Sequence, residues 1–272
     1  MIRQLLLMLF CFSWAGAAEP LRIASYSPGA TQTLNDLNCA SQIVAATKWC
    51  PLPAQHSASR DCDVFNPDLE KLLQKKPTLV ILPRLANPLW AERCRQAGLN
   101  VLVLSPENKN SVADDIRLIG KAVGQETLAN DLILALEKNR SASAKKLLVI
   151  WDGMMAGKNS YLAGRLEKSG FELPFPDSTW IKCDWEMIAR FNPDVILWIN
   201  NNPVDGPITL SAERLSEFGE LPAVREVNAV KNKKVFSTNS GCNWLPSSSL
   251  FNACSKMNKL ITTSDLEHYL TK

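Results

Sequence analysis

Apolar positions along the chain gather into runs of four to six residues, separated by longer stretches in which they recur every third or fourth position. Runs at 21–26, 43–47, 79–82, 100–104, 147–151 and 194–198 read as strands, and a shorter run, Val235-Phe236, as another. Helical stripes read at about 32–37, 88–97, 161–169, 212–215 and 248–261. Gly98 and Gly170 stand where two of these helices should stop. Strands alternating with helices predict parallel sheets in an α/β fold. The segment 48–66 reads as a polar loop, and 152–160 as another. Between 111 and about 142 the strand signal vanishes. Val112, Ile116, Ile119 and Val123 share one helical face, Gly124 interrupts, and Leu128, Leu132, Ala135 and Leu136 resume the stripe. The second of these helices, about 16 residues at 1.5 Å each, would span ~24 Å and could tie one lobe to another.

One pattern occurs twice. Asp68-Leu69-Glu70 is followed by a helical stretch, then by Pro77-Thr78-Leu79-Val80-Ile81. Asp184-Trp185-Glu186 is followed by the same kind of stretch and by Pro193-Asp194-Val195-Ile196, at a constant offset of 116 residues. The Asp can cap a short helix by accepting first-turn N–H groups. The Pro ends the helix, and the apolar run after it reads as a buried parallel strand. A unit used twice predicts two similar α/β lobes, an N-terminal one over 19–109 and a C-terminal one over 144–272. The helical connector would occupy 110–143, and a ligand cleft would lie between the lobes.

The first 18 residues carry Arg3, an apolar stretch over 5–14 and Ala15-Gly16-Ala17, the pattern of a cleavable signal peptide. The mature protein should therefore be exported. Hydrophobic and charged fractions of 46% and 21% are those of a soluble globular chain. A net charge of +3, with no basic run interleaved with aromatics, gives no sign of nucleic-acid binding. Without Cys11 seven cysteines remain, so at least one is unpaired. Cys50 with Cys62, and Cys183 with Cys242, are the expected disulfides. Two histidines and no C-x-x-C motif argue against a metal site.

On the repeated unit the chain resembles the periplasmic binding proteins of ABC importers for cobalamin, haem and iron-siderophores, and most of all the cobalamin-binding members. The resemblance implies two α/β lobes bridged by one long backbone helix, a monomer in the periplasm, and a permease dimer in the inner membrane as partner. It assigns Glu70 and Glu186 to docking on permease arginines. A first-turn Glu also favours the helix dipole by ~0.3–1 kcal/mol, but its recurrence in the second copy favours docking. The cobalamin-binding members have an aromatic before a small residue and a Pro after the second strand, matched by Trp49-Cys50-Pro51. They also have a Trp six residues before the second docking Glu, matched by Trp180. Trp151, Met154, Met155 and Trp244 lie in loops that line the pocket in relatives. Where those members have another aromatic before the first docking Glu, this chain has Val64 followed by Phe65. The family's second-lobe disulfide would use Cys254, but no cysteine stands near Ser169-Gly170.

The implied function is capture of cobalamin or a related corrinoid between flat aromatic walls, with modest closure of the lobes and no resident cofactor. Haem or ferric-siderophore binding is the alternative within the family. Haem would want an axial Tyr or His, and an anionic siderophore would want converging arginines, for which Arg60, Arg84 and Arg165 are scattered in sequence. An exported enzyme on a similar scaffold is the alternative outside it. No nucleophile elbow, phosphate loop or His-Glu-x-x-His motif supports an enzyme, and no catalytic residue is assigned.

Overall fold

A computed structural model of the chain describes residues 20–105, 107–137, 145–175, 177–202 and 206–262. The signal-peptide segment lies outside them, as does the end of the expected connector.

The first lobe runs β1 (Ile23–Ser25), α1 (Pro28–Asp36), β2 (Ile43–Thr47), β3 (Ser59–Cys62), α2 (Leu69–Gln74), β4 (Leu79–Leu82), α3 (Pro88–Gln96) and β5 (Asn100–Val103). Its strands form a five-stranded sheet in the order β3-β2-β1-β4-β5, parallel throughout. Side chains alternate between its two faces. Ile23, Ile43, Leu79 and Ile81 enter one apolar cluster, while Ala24, Ala45, Val80 and Leu82 enter another with Tyr26 and Trp90. β3 was not expected, because Ser59-Arg60-Asp61-Cys62 is polar. It is the edge strand, and an edge needs no second apolar neighbour.

Two helices follow, α4 (Ser111–Ala122) and α5 (Glu126–Glu137), broken at Gly124, whose φ of +68° suits glycine. They pack on each other so closely that a Cβ on Gly120 would overlap the Ala129 methyl. α4 also packs on α1.

The second lobe runs β6 (Lys145–Trp151), β7 (Met154–Ala156), α6 (Tyr161–Lys168), β8 (Phe171–Glu172), β9 (Trp180–Lys182), α7 (Trp185–Phe191), β10 (Val195–Asn202), β11 (Thr209–Leu210), α8 (Ala212–Glu220), α9 (Asn228–Lys231), β12 (Val235–Ser240) and α10 (Ser249–Thr262). The strands order as β11-β12-β10-β6-β7-β9, with β8 beside β6. The segment 152–160, read as a loop, contains β7. Asp152 and Gly153, at φ of +52° and +72°, make a two-residue hairpin turn that pairs Trp151 with Met154.

The repeated unit is structurally the same in both lobes. The Asp68 carboxylate accepts from the Lys71 amide at 3.0 Å, and Asp184 accepts from the Met187 amide at 2.9 Å. Lys76 and Asn192, at the same place in each copy, take left-handed φ values of +48° and +50° before the Pro. The apolar runs that follow become β4 and β10, each parallel to its lobe's first strand.

The lobes share one core. A single apolar cluster contains Ile23 and Leu34 of the first lobe, Ile116 and Ile133 of the connector, and Leu162 and Leu250 of the second. Backbone meets backbone along this seam. Gly29 abuts the Pro246 carbonyl, and a Cβ on Gly164 of α6 would overlap the Lys109 carbonyl oxygen. Ser248 donates to the Asp36 carboxylate across the same seam.

Gly164→Ala tests this packing. Alanine inside an exposed helix would add up to ~1 kcal/mol of stability. Here the clash should reverse the sign and cost at least ~1–3 kcal/mol, read as a lowered midpoint in urea denaturation.

Candidate functional site

In the first lobe, large apolar side chains stand in water beyond the carboxyl ends of consecutive strands. Phe65 follows β3 and is 88% exposed, Trp49 follows β2 at 59%, and Leu85 follows β4 at 67%. Leu89, in the first turn of α3, is 70% exposed. The carboxyl edge of a parallel sheet is where ligands of open α/β folds bind. Leu85 and Leu89 were not singled out from the sequence. Leu89 was legible in principle: Trp90, Ala91 and Cys94 form the buried face of α3, which leaves Leu89 pointing away from it.

The Trp49 loop is held firmly. Arg60 of β3 donates to the Cys50 carbonyl at 2.8 Å and to the Leu52 carbonyl at 2.9 Å, and Asn35 donates to the Pro51 carbonyl at 2.7 Å. The Thr47 hydroxyl accepts from the Trp49 amide at 3.2 Å. Lys48 lies over the Trp49 indole, its Nζ 5.0 Å from the ring centroid. Phe65 sits on a tight turn in which the Asp63 carboxylate accepts from its amide at 2.8 Å.

In the second lobe, Trp151, Trp180 and Tyr161 form a ring cluster. Trp180 meets Trp151 edge-on with centroids 6.4 Å apart, and Tyr161 at 6.0 Å. Trp180 lies on β9 rather than in a loop, because β9 adds antiparallel to β7 through the pair Ala156 and Trp180. Met154 shares the face of Trp151. Met155 does not: strand alternation turns it to the opposite face, where it is buried with Ile150 and Ile188. Trp244 is 1% exposed and belongs to the core shared by the lobes, its carbonyl accepting from the Tyr161 hydroxyl at 2.9 Å. Met155 and Trp244 are thus packing residues, contrary to expectation. Among the described residues no ring pair joins Trp49 or Phe65 to the second-lobe cluster.

The disulfide pairings also need correction. Cys50, Cys62 and Cys183 are free thiols. Cys50 packs in the shared core and Cys62 packs beside Tyr26 in the neighbouring cluster, and neither sulfur is bonded to the other. The Cys242 side chain lies outside the described residues. Burial pushes the Cys62 thiol up to about 12 and the Cys183 and Cys94 thiols up to about 11, which leaves all three unreactive.

Glu70 and Glu186 are both exposed, each in the first turn of its Asp-capped helix. The docking assignment needs that exposure.

Two carboxylates mark the crossover from the first lobe, Asp115 buried and Glu107 half-buried. Asp115 of α4 accepts from the Ser105 amide at 2.8 Å, and burial pushes its carboxyl up to about 6. Glu107 accepts from the Trp180 indole N–H at 2.6 Å, and burial raises it as well.

Residues 23–241 match the family model described as "Periplasmic binding protein". The chain belongs to that family. It is a binding protein of the ABC-transporter type and not an enzyme. It is 24% identical, over 80% of its length and 72% of the other's, to the "Uncharacterized ABC transporter substrate-binding lipoprotein YvrC" of Bacillus subtilis. It is 22% identical to a "Cobalamin-binding protein" of Halobacterium salinarum, a match over 81% of this chain and 62% of that one. The binding protein shares its fold with the vitamin B12-binding protein BtuF of Vibrio cholerae: TM-score 0.67, 20% identity, 92% of this chain and 98% of that chain. It shares it equally with the heme-binding protein HutB of Vibrio cholerae, at TM-score 0.71, 18% identity, 89% and 99%.

The raised Asp115 carboxyl has a sign that can be checked. Its folded pKa lies above the ordinary 3.8. Its contribution is therefore fully present below about pH 4 and is lost as pH rises through about 6. Asp115→Asn keeps an acceptor for the Ser105 amide and removes the charge. The variant should match the wild type near pH 4 and gain about 2–3 kcal/mol on it by pH 7, measured by denaturant unfolding across that range.

Proposed function

We propose that this binding protein captures cobalamin or a related corrinoid between its lobes and delivers it to an ABC permease dimer of the inner membrane. Residues 1–18 would direct export to the periplasm, where the protein would act as a monomer without a resident cofactor. The observation that carries the ligand reading is the exposure of Phe65, Trp49 and Leu85 beyond the carboxyl ends of β3, β2 and β4 in one lobe, with an indole pair in the other. A broad, flat, largely apolar macrocycle suits such walls, and indoles give contact area at little entropy cost.

The alternatives within the family find less support among the described residues. An axial haem ligand would have to be freed first. Tyr26 is buried, the Tyr161 hydroxyl donates to the Trp244 carbonyl, and the His56 ring is engaged on both nitrogens, by the Ala40 carbonyl and the Ala58 amide. Tyr269 and His268 lie outside the described residues. Of the arginines considered for an anionic siderophore, Arg60 is spent on loop carbonyls and Arg165 is buried over the Phe251 ring. Only Arg84 of the three is exposed.

Docking is assigned to Glu70 and Glu186. Paired carboxylates on two lobes orient a protein on a two-fold partner while contributing mainly to recognition.

Titration of the mature protein with cyanocobalamin should show saturable one-to-one binding by heat and by Trp fluorescence. Trp49→Ala and Trp180→Ala should each weaken it about tenfold, or ~1.4 kcal/mol; unaltered affinity in both would remove these indoles from the site. The double variant Glu70→Ala with Glu186→Ala should bind cyanocobalamin as the wild type does, yet lose uptake in proteoliposomes carrying the permease. Loss of ligand binding in that variant would contradict the docking assignment.

A further inference from the structure

Trp180 is placed by a residue from outside its own lobe. Glu107 lies 73 positions earlier, on the stretch that leaves β5 and enters α4. Its Oε1 accepts from the Trp180 Nε1–H at 2.6 Å, and the same oxygen accepts from the Tyr161 amide at 3.4 Å. A short bond from an indole N–H to a carboxylate is among the stronger neutral-to-charged hydrogen bonds. Among the described residues, no ammonium or guanidinium acts on Glu107. The titratable group that faces it is the Tyr161 phenol, which burial keeps neutral and which bonds to the Trp244 carbonyl. The charge of Glu107 is thus met by N–H donors, and the indole is the nearer one.

Packing alone does not fix such a ring. The χ2 torsion of a tryptophan has a broad, roughly two-fold profile, so two ring orientations are open to a half-buried indole, and they place Nε1 on opposite sides. Trp180 has those neighbours in Trp151 and Tyr161. A single directed N–H bond removes the degeneracy, because only one orientation aims Nε1 at Glu107. The bond also ties the ring to the chain that crosses between the lobes, a stretch fixed by Asp115 at Ser105 and by the close approach of Lys109 to Gly164.

We propose that Glu107 is a positioning residue of the ligand site, selecting the Trp180 orientation that faces a bound corrinoid. The ligand half of this proposal rests on the function proposed above; the contact itself does not.

The experiment uses the mature full-length protein labelled with 15N-tryptophan. The Trp180 indole resonance is assigned by its loss in Trp180→Phe. In the wild type it should lie downfield and move upfield on acidification, as Glu107 takes up a proton. In Glu107→Gln, which keeps an acceptor oxygen, it should cease to move with pH. In Glu107→Leu it should shift upfield or split in two. Cyanocobalamin affinity should fall about tenfold in Glu107→Leu, and Glu107→Gln should restore most of the loss. A Trp180 resonance that ignores both pH and Glu107→Leu overturns the anchor, whatever the ligand. A shifted resonance with undiminished affinity overturns the positioning role. Failure of the wild type to bind cyanocobalamin, with the resonance behaving as expected, overturns the corrinoid reading and leaves the anchor standing.

Discussion

The apolar seam between the lobes constrains everything else in this protein. One cluster of buried side chains runs from β1 and α1 through α4 and α5 to α6 and α10. At two points along it a glycine lets backbone touch backbone, Gly29 at Pro246 and Gly164 at Lys109. Interiors packed in this way resist shear and transmit strain. A wide hinge rotation would have to open that core to water at roughly 25 cal/mol for every Å² of apolar area exposed. The shared core therefore resists a wide opening of the lobes and leaves small tilts and the loops as the means of adjustment. The Trp49 loop is rigid as well, since Arg60 and Asn35 hold it by its carbonyls. A site formed in advance loses less to ordering when the ligand arrives.

How much of this was written locally decides how much could be read. The repeated unit was legible because its signals are short-range. An Asp three residues before a free amide, a Pro after the helix and a short apolar run each act within a turn or two, and both copies fold as that logic requires. Trp244 and Met155 were misread because their fate is set by the tertiary structure. Trp244 lies in a Ser- and Pro-rich stretch that looks like surface loop, yet the seam closes over it. Met155 depends on a hairpin whose register decides which of two neighbouring methionines faces the indoles. The Cys50–Cys62 pairing failed for a related reason. Proximity in sequence does not decide which cluster a side chain joins, and the two thiols pack in different ones.

The thiols and the carboxylates respond to burial in ways that matter differently. A buried thiol remains protonated and so becomes inert, as Cys62 does, and Cys50, Cys62 and Cys183 are unpaired. A buried carboxylate keeps a choice of two charge states near neutral pH. Asp115 and Glu107 both occupy the crossover, where the first lobe hands the chain to the connector. Among the described residues neither sits opposite a basic group, so amide, hydroxyl and indole donors support the ionised forms. Burial raises both carboxyls, and the crossover that carries them is also the part of the seam that touches Trp180.

Under the proposed function, ligand and permease meet the same short segments. Phe65 precedes Glu70 by five residues, and Trp180 precedes Glu186 by six. In each lobe the aromatic leads into an Asp-capped helix of one to two turns that carries the acid in its first turn. A helix so short has little stability of its own, so its position follows the loop before it and the cap that starts it. A pull on the acid by a permease arginine would act on the aromatic through fewer than seven residues of chain. In the first lobe that aromatic is free in solvent; in the second it is bonded to Glu107 on the rigid crossover. Docking would therefore disturb the first-lobe wall more readily than the second, and release of the ligand would begin at Phe65 while Trp180 held its place.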